Sequence, residues 1–237
     1  MRPALRPAKL RTERAAHALA SLSDLFARNR PDLPVEVTVD RASVEQGSPV
    51  APRVNFEAIQ NLMGYEARVV YGECLYNVRT ALDYLAYNLV WLDTGSPFDY
   101  SQFPIVSDRE RWASTCKSAI PGVSVAHLEQ LKRFQPFDGC EWTKGLHDLA
   151  RKDRHRFVVE FANEVVFTTN GDFRSFKAHP NDADRLIVPV DDVELKLTLP
   201  SGDDALLAMR TYVIESGKLL MSFQEDFGEH DLLSIDE

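Results

Sequence analysis

The sequence predicts an α+β fold, with a helical bundle around one central helix at about residues 72–93 and a small antiparallel sheet from the C-terminal half. Apolar residues recur every three or four positions across 72–93, which is the pattern of a buried helical face. Between residues 164 and 199, short segments of alternating apolar and polar residues predict strands. Asn170-Gly171 predicts a hairpin turn between the first two of these strands.

Composition places the chain among ordinary globular proteins. Its 237 residues suffice for a sizeable core, and 44% are apolar and 27% charged. The net charge of -9 argues against a general nucleic-acid coat, although a local basic patch can still bind phosphate. The three widely spaced cysteines indicate a reducing compartment and no structural zinc, and no apolar run is long enough to span a membrane. We therefore expect a cytoplasmic protein with no cofactor, no metal and no membrane partner.

We expect one domain over residues 1–237. Its helical part covers about 1–163, its strands and final helix about 164–226, and an acidic tail 227–237. The first helix is expected from Ala8 to about Arg28, with a basic N-terminal face, and residues 35–39 alternate as a strand. Residues 41–53 are expected to be a loop, and the pattern of residues 55–71 fits a strand or a helix equally well.

Capping residues place the later helices. Ser107, with Asp108 and Glu110, is the predicted N-terminal cap of a short helix that ends near Ala119. Ser124 is predicted to begin another helix that ends at Pro136, with Val125, Leu128, Leu131 and Phe134 inward. A basic helix is expected over residues 141–164. Strands are predicted at 164–169, 173–178, 185–190 and 193–199, and a final helix begins near Asp203.

The polar residues beside the apolar face of the central helix suggest a site. Arg79 and Asp83 are spaced to pair along one flank of the helix. In one interpretation they form only an intrahelical ion pair, worth about 0.2–0.5 kcal/mol. In the other, Asp83 orients the Arg79 guanidinium towards a cleft, where it binds phosphate.

Residues 72–90 resemble a block, G-D-x-L-H-N-L-R-S-A-L-D-H-L-A, from a family of uncharacterised bacterial and phage proteins. The resemblance extends to Q-F-P-I at 102–105, to 128–137, and to 146–156, which is similar to an L-x-x-L-N-N-I-D-K-H-R block. The R-x4-H within the first block is also similar to the signature of HEPN-type helical RNases. That resemblance implies metal-independent cleavage of RNA by an Arg and a His on one helix, usually duplicated across a dimer.

The HEPN resemblance carries over to Arg79, whereas the two family histidines correspond to Tyr76 and Tyr84. A phenol, with a pKa near 10, is a poor general base at neutral pH. We therefore expect the basic helix to pack beside the central one and supply an imidazole. The expected catalytic residues are Arg79, His147 and His155. The residues expected to bind or orient phosphate are Asp83, Tyr84, Arg151, Asp153 and Arg154.

Two other functions are consistent with the sequence. The tyrosines in place of histidines favour a non-catalytic binding or interaction module. The dipeptide His147-Asp148, with His127 upstream, weakly suggests a metal-dependent HD-type phosphohydrolase. The expected partner is RNA, a nucleotide or another protein, in defence or stress response, and the chain is expected to form a homodimer.

Overall fold

The computed structural model describes residues 2–28, 35–42, 65–155, 162–168, 177–179, 182–190, 192–199 and 201–228. These residues belong to two compact units. The first comprises Met1–Leu22, Arg68–Glu160 and Leu206–Glu237, and the second comprises Ser23–Ala67 and Phe161–Ala205. The expectation that the whole chain forms one domain stays a prediction.

Six α-helices lie within the described residues. They are α1 (Arg6–Arg28), α2 (Tyr65–Thr94), α3 (Trp112–Ala119), α4 (Val125–Lys132), α5 (Glu141–His155) and α6 (Ala205–Ser222). Short 3-10 turns at Arg109–Arg111 and Pro136–Asp138 precede α3 and α5. Of the described part of the chain, no helix combines the length and the apolarity that crossing a membrane requires.

The central helix α2 is the predicted helix, extended at its N-terminal end. Six of its predicted inward residues are completely buried: Leu75, Val78, Leu82, Leu85, Ala86 and Leu89. Burying each such leucine contributes about 1.5–3 kcal/mol, so this face accounts for much of the helix's stability. Leu92, also predicted to be inward, is half-buried. Gly95, at φ 76°, follows the helix in the left-handed conformation that favours glycine.

Helices α1 and α2 pack antiparallel along the first unit. The Ala4 amide donates to Asn88 Oδ1 at 3.0 Å, near the C-terminal end of α2. Further along α1, the Cys74 thiol lies 3.2 Å from the Ala15 carbonyl oxygen. These two contacts, 14 residues apart along α2, fix the register of the two helices.

The strands that the structure describes form two antiparallel sheets. They are β1 (Val35–Asp40), β2 (Ala162–Thr168), β3 (Lys177–His179), β4 (Asp182–Val190) and β5 (Asp192–Thr198). One sheet has the order β1-β4-β3, and the other pairs β2 with β5. Within the described residues, β2 pairs with β5 and β3 pairs with β4. The predicted hairpin between the first two C-terminal strands stays a prediction, because most of its second strand, 173–178, is not described. Asn170-Gly171 lies outside the described residues.

The predicted α+β class is wrong, because the structure is mostly helical. Among side chains that the structure describes, only Val39 and Leu186 of the buried apolar set lie on strands. Nor does a single sheet arise from the C-terminal half, since β1 comes from the N-terminal half. The alternating pattern identifies short extended segments, but burial in helices supplies the described core.

Smaller corrections concern the helix ends. Asp108, one of the predicted capping residues, accepts a hydrogen bond from the Glu110 amide at 2.9 Å and caps the 3-10 turn before α3 rather than α3 itself. Ser124 caps α4 as predicted, because its Oγ accepts from the His127 amide at 3.3 Å. However, α4 ends at Lys132, and Val125 is 77% exposed rather than inward. In α5 the described helix ends at His155, and the predicted continuation to residue 164 crosses residues that the structure does not describe.

Candidate binding site

Arg79 and Asp83 hold a neighbouring segment of backbone. Arg79 Nη2 donates to Asp83 Oδ1 at 2.8 Å and to the Phe103 carbonyl oxygen at 2.9 Å. Asp83 Oδ1 also accepts the Phe103 amide at 2.9 Å. The two side chains are only 8% and 25% exposed. This arrangement clamps both backbone polar groups of Phe103 to α2.

A second clamp holds the same segment from its other side. The completely buried Gln135 accepts the Val106 amide at 3.0 Å and donates to the Leu131 carbonyl oxygen at 3.2 Å. Unpaired buried backbone groups cost about 1–3 kcal/mol each, so such side chains replace the partners that a strand or helix would give. Three of the sequence blocks described above are therefore in contact. Block 102–105 and the adjacent Val106 are held by Arg79 and Asp83 of block 72–90 and by Gln135 of block 128–137.

Tyr84 lies on the other flank of α2, beside α1. The Arg11 guanidinium carbon is 5.8 Å from the centroid of the Tyr76 ring and 5.8 Å from that of Tyr84. Arg11 Nη1 also donates to Asn77 Oδ1 at 3.1 Å. A cation near an aromatic face gains about 0.5–1 kcal/mol at exposed sites. The two positions of the family histidines are thus occupied by tyrosines that share one arginine.

Two more aromatic residues continue along the outer side of α2. Tyr87 and Trp91 are half-buried, and their rings meet edge to face with centroids 6.4 Å apart. With 3.6 residues per turn, Tyr76, Tyr84, Tyr87 and Trp91 fall within about 80° around the helix axis and span about 22 Å along it. We call these four residues the aromatic ridge. Tyr76 is its most exposed member, at 51%.

The basic helix α5 carries the remaining predicted residues. His147 is half-buried and Arg151 is exposed, both within the helix. The side chains of Asp153, Arg154 and His155 lie outside what the structure describes, although their backbone belongs to α5. The predicted meeting of Arg79 with His147 and His155 therefore stays a prediction. The structure joins Arg79 to Asp83 and Phe103, and it joins Tyr84 to Arg11.

A histidine flanked by two carboxylates is a further polar group of the first unit. His127 lies between two carboxylates, with Nδ1 2.8 Å from Asp93 Oδ2 and Nε2 3.6 Å from Asp226 Oδ1. Sequence reasoning missed this arrangement, because its members are far apart in the chain. Across the described ranges, His, Cys, Asp and Glu side chains form no group of three or more placed to hold a metal ion.

The cysteines are not activated. None of Cys74, Cys116 and Cys140 forms a disulfide. Burial raises the pKa of Cys74 and of Cys116 from 9.0 to about 12. Burial also raises the pKa of Cys140. Since the thiolate is the nucleophile, these thiols are poorly reactive at neutral pH.

No protein-family model, curated protein or solved structure matches this chain.

Proposed function

We propose that this chain is a non-catalytic interaction module that binds a protein partner through the aromatic ridge of α2. The observation that carries the proposal is the contact of Arg11 with both Tyr76 and Tyr84, beside a Tyr76 ring that is half exposed. Tyrosine, tryptophan and arginine are the residues that most often dominate the binding energy of protein interfaces. Tyr87 and Trp91 extend the same surface.

The role of Arg79 supports a non-catalytic function. An arginine that stabilises a reacting phosphate has to present its guanidinium to that phosphate. Arg79 is 6% exposed and donates to Asp83 and to the Phe103 carbonyl oxygen. In the ribonuclease hypothesis, Arg79 would have to break these buried hydrogen bonds in order to bind the phosphate of RNA. Tyr84 lies beside Arg11, whose guanidinium carbon is 5.8 Å from the centroid of its ring.

The partner that the ridge fits best is a second copy of the chain. In an antiparallel pair of α2 helices related by a two-fold axis between residues 83 and 84, Tyr76 of one copy faces Trp91 of the other. The same symmetry places Thr80 opposite Tyr87. It places Glu73 opposite Thr94, so this acidic residue does not face a like charge. A surface that is complementary to itself in this way is what an isologous dimer requires.

Sedimentation equilibrium tests this function. Wild-type protein is expected to dimerise, and Tyr76→Ala and Trp91→Ala are each expected to raise the dissociation constant by roughly tenfold or more. Tyr100→Ala is the matched control, because Tyr100 lies in a loop away from α2 and is 80% exposed. Dimerisation that none of the ridge variants weakens would refute the assignment of this face.

RNA binding is the second candidate function, and the same arginine favours it. Aromatic rings and guanidinium planes both stack on unpaired bases, and Arg11 brings these groups together. Fluorescence anisotropy with labelled single-stranded RNA in EDTA distinguishes the candidates. If the wild-type chain stays monomeric and binds RNA, and if Tyr76→Ala abolishes this binding, RNA binding becomes the favoured function in place of protein binding. RNA cleavage in EDTA would restore the ribonuclease hypothesis.

A further inference from the structure

His127 occupies the junction of three chain segments in the first unit. It lies in the first turn of α4, which Ser124 caps. Asp93, near the C-terminal end of α2, contributes one carboxylate, and Asp226, in the turns after α6, contributes the other. The His127 side chain is only 12% exposed. Its ring also lies against Phe223, with centroids 6.0 Å apart and the planes tilted by 56°.

One side of this ring has a fixed hydrogen-bonding role. Asp93 Oδ2 accepts the Ser124 amide at 2.7 Å and lies 2.8 Å from His127 Nδ1. A carboxylate only accepts hydrogen bonds, so Nδ1 has to carry a proton. The neutral ring then has its lone pair on Nε2. That nitrogen faces Asp226 Oδ1 at 3.6 Å, which is beyond a hydrogen bond but within range of a strong charge interaction.

The interaction with Asp226 therefore depends on the second proton. In the neutral ring, the Nε2 lone pair faces a carboxylate, which is unfavourable. In the imidazolium, both ring nitrogens donate and the positive charge lies between two negative ones. Histidine is the side chain whose charge ordinarily changes between pH 5 and pH 8. We propose that His127 is a proton-controlled latch, which holds residues 224–228 against α4 when it is charged and releases them when it is neutral.

A second contact limits how far the latch acts. Gln130 Nε2 donates to the Ser222 carbonyl oxygen at 2.6 Å, and Phe223 is completely buried. Neither group titrates, so the end of α6 stays in place at any pH. Asp226, with its side chain 36% exposed, lies beyond this anchor. Proton loss is therefore expected to loosen the turns after Phe223 without unfolding α6.

Amide hydrogen exchange of residues 224–228, corrected for the intrinsic effect of pH, tests the latch. Between about pH 5.5 and about pH 8, protection in the wild-type chain is expected to fall by about two- to fivefold, the size of a partly exposed ion pair. His127→Gln and Asp226→Asn are each expected to abolish this pH dependence. His17→Gln is the matched control, because His17 is exposed on α1, and it is expected to keep the wild-type response.

Each outcome decides for or against the latch. A wild-type chain whose protection does not change with pH would overturn it, as would a His127→Gln chain that keeps the full response. If His127→Gln fails to fold, Asp226→Asn decides alone, since it alters only the more exposed carboxylate. Exchange that increases equally in α6 would show general loosening of the unit and would also overturn the proposal.

Discussion

Arg79, on the central helix, donates a hydrogen bond to the carbonyl oxygen of Phe103, 24 residues later in the chain, at 2.9 Å. Asp83 completes the contact by accepting the Phe103 amide. An ion pair that looks confined to one helix thus organises a segment without regular secondary structure. This contact gives the pair a structural role beyond a single helix, and phosphate binding by Arg79 stays a prediction.

Replacing Arg79 is expected to destabilise the fold rather than remove an activity from an intact protein. Arg79→Ala leaves the Phe103 carbonyl and the Asp83 carboxylate without this donor, and hydrogen bonds to charged groups contribute about 1.5–3 kcal/mol. We expect a loss of that size in the free energy of unfolding, measured by urea denaturation. Arg111→Ala is the control, because Arg111 is exposed, and it should change stability by less than about 0.5 kcal/mol. A fully stable Arg79→Ala chain would argue against the clamp.

Gly145 on α5 faces Tyr212 on α6 so closely that we expect no larger residue to fit without strain. A Cβ at this position would lie 2.5 Å from the Tyr212 hydroxyl and 3.4 Å from the ring carbon that carries it. Tyr212 is 6% exposed, so its ring has little room to move. Gly145→Ala is expected to cost about 1–3 kcal/mol, the usual range for overpacking.

Removing the hydroxyl provides the matching rescue. In a Tyr212→Phe background the close contact disappears, while alanine still gains up to about 1 kcal/mol over glycine inside a helix. Gly145→Ala should then be neutral or stabilising. A double-mutant cycle measured by thermal denaturation gives the coupling between the two positions. If the stability changes of the two substitutions proved additive, the contact with the Tyr212 hydroxyl would not be the reason for glycine at position 145.

The buried thiols predict a loss of stability in alkali. The pKa of Cys74 and of Cys116 is about 12 in the folded chain and 9.0 ordinarily, so unfolding releases protons above pH 9. The contribution of each thiol is fully present below about pH 9 and declines as the pH rises towards about 12. Urea midpoints should therefore fall over this range, and by less in Cys116→Ala. An equal fall in both chains would contradict the assignment to Cys116.

Sequence periodicity identified the elements whose pattern depends only on residues that are neighbours in the sequence. The buried face of α2, the Ser124 cap and the first helix follow from the spacing of a few neighbouring residues. Local spacing does not determine which of the more distant strands pair. The pairing of β2 with β5 is a contact between distant segments.

The candidate site shows the same limit. The helical positions of Arg79, Asp83, Tyr76 and Tyr84 were predictable, but their partners were not. Phe103 and Arg11 reach α2 through tertiary packing, which brings Phe103 to Arg79 and Arg11 to Tyr84. The contact of Asp93, His127 and Asp226 likewise joins residues that no local pattern relates.

Sedimentation equilibrium of the wild-type chain beside Tyr76→Ala tests the central claim most directly, with Tyr100→Ala as the control. The proposed ridge predicts a dimer whose dissociation constant rises by roughly tenfold or more in Tyr76→Ala and is unchanged in Tyr100→Ala. A wild-type chain that remains monomeric at every concentration, or a dimer that Tyr76→Ala leaves intact, would contradict it.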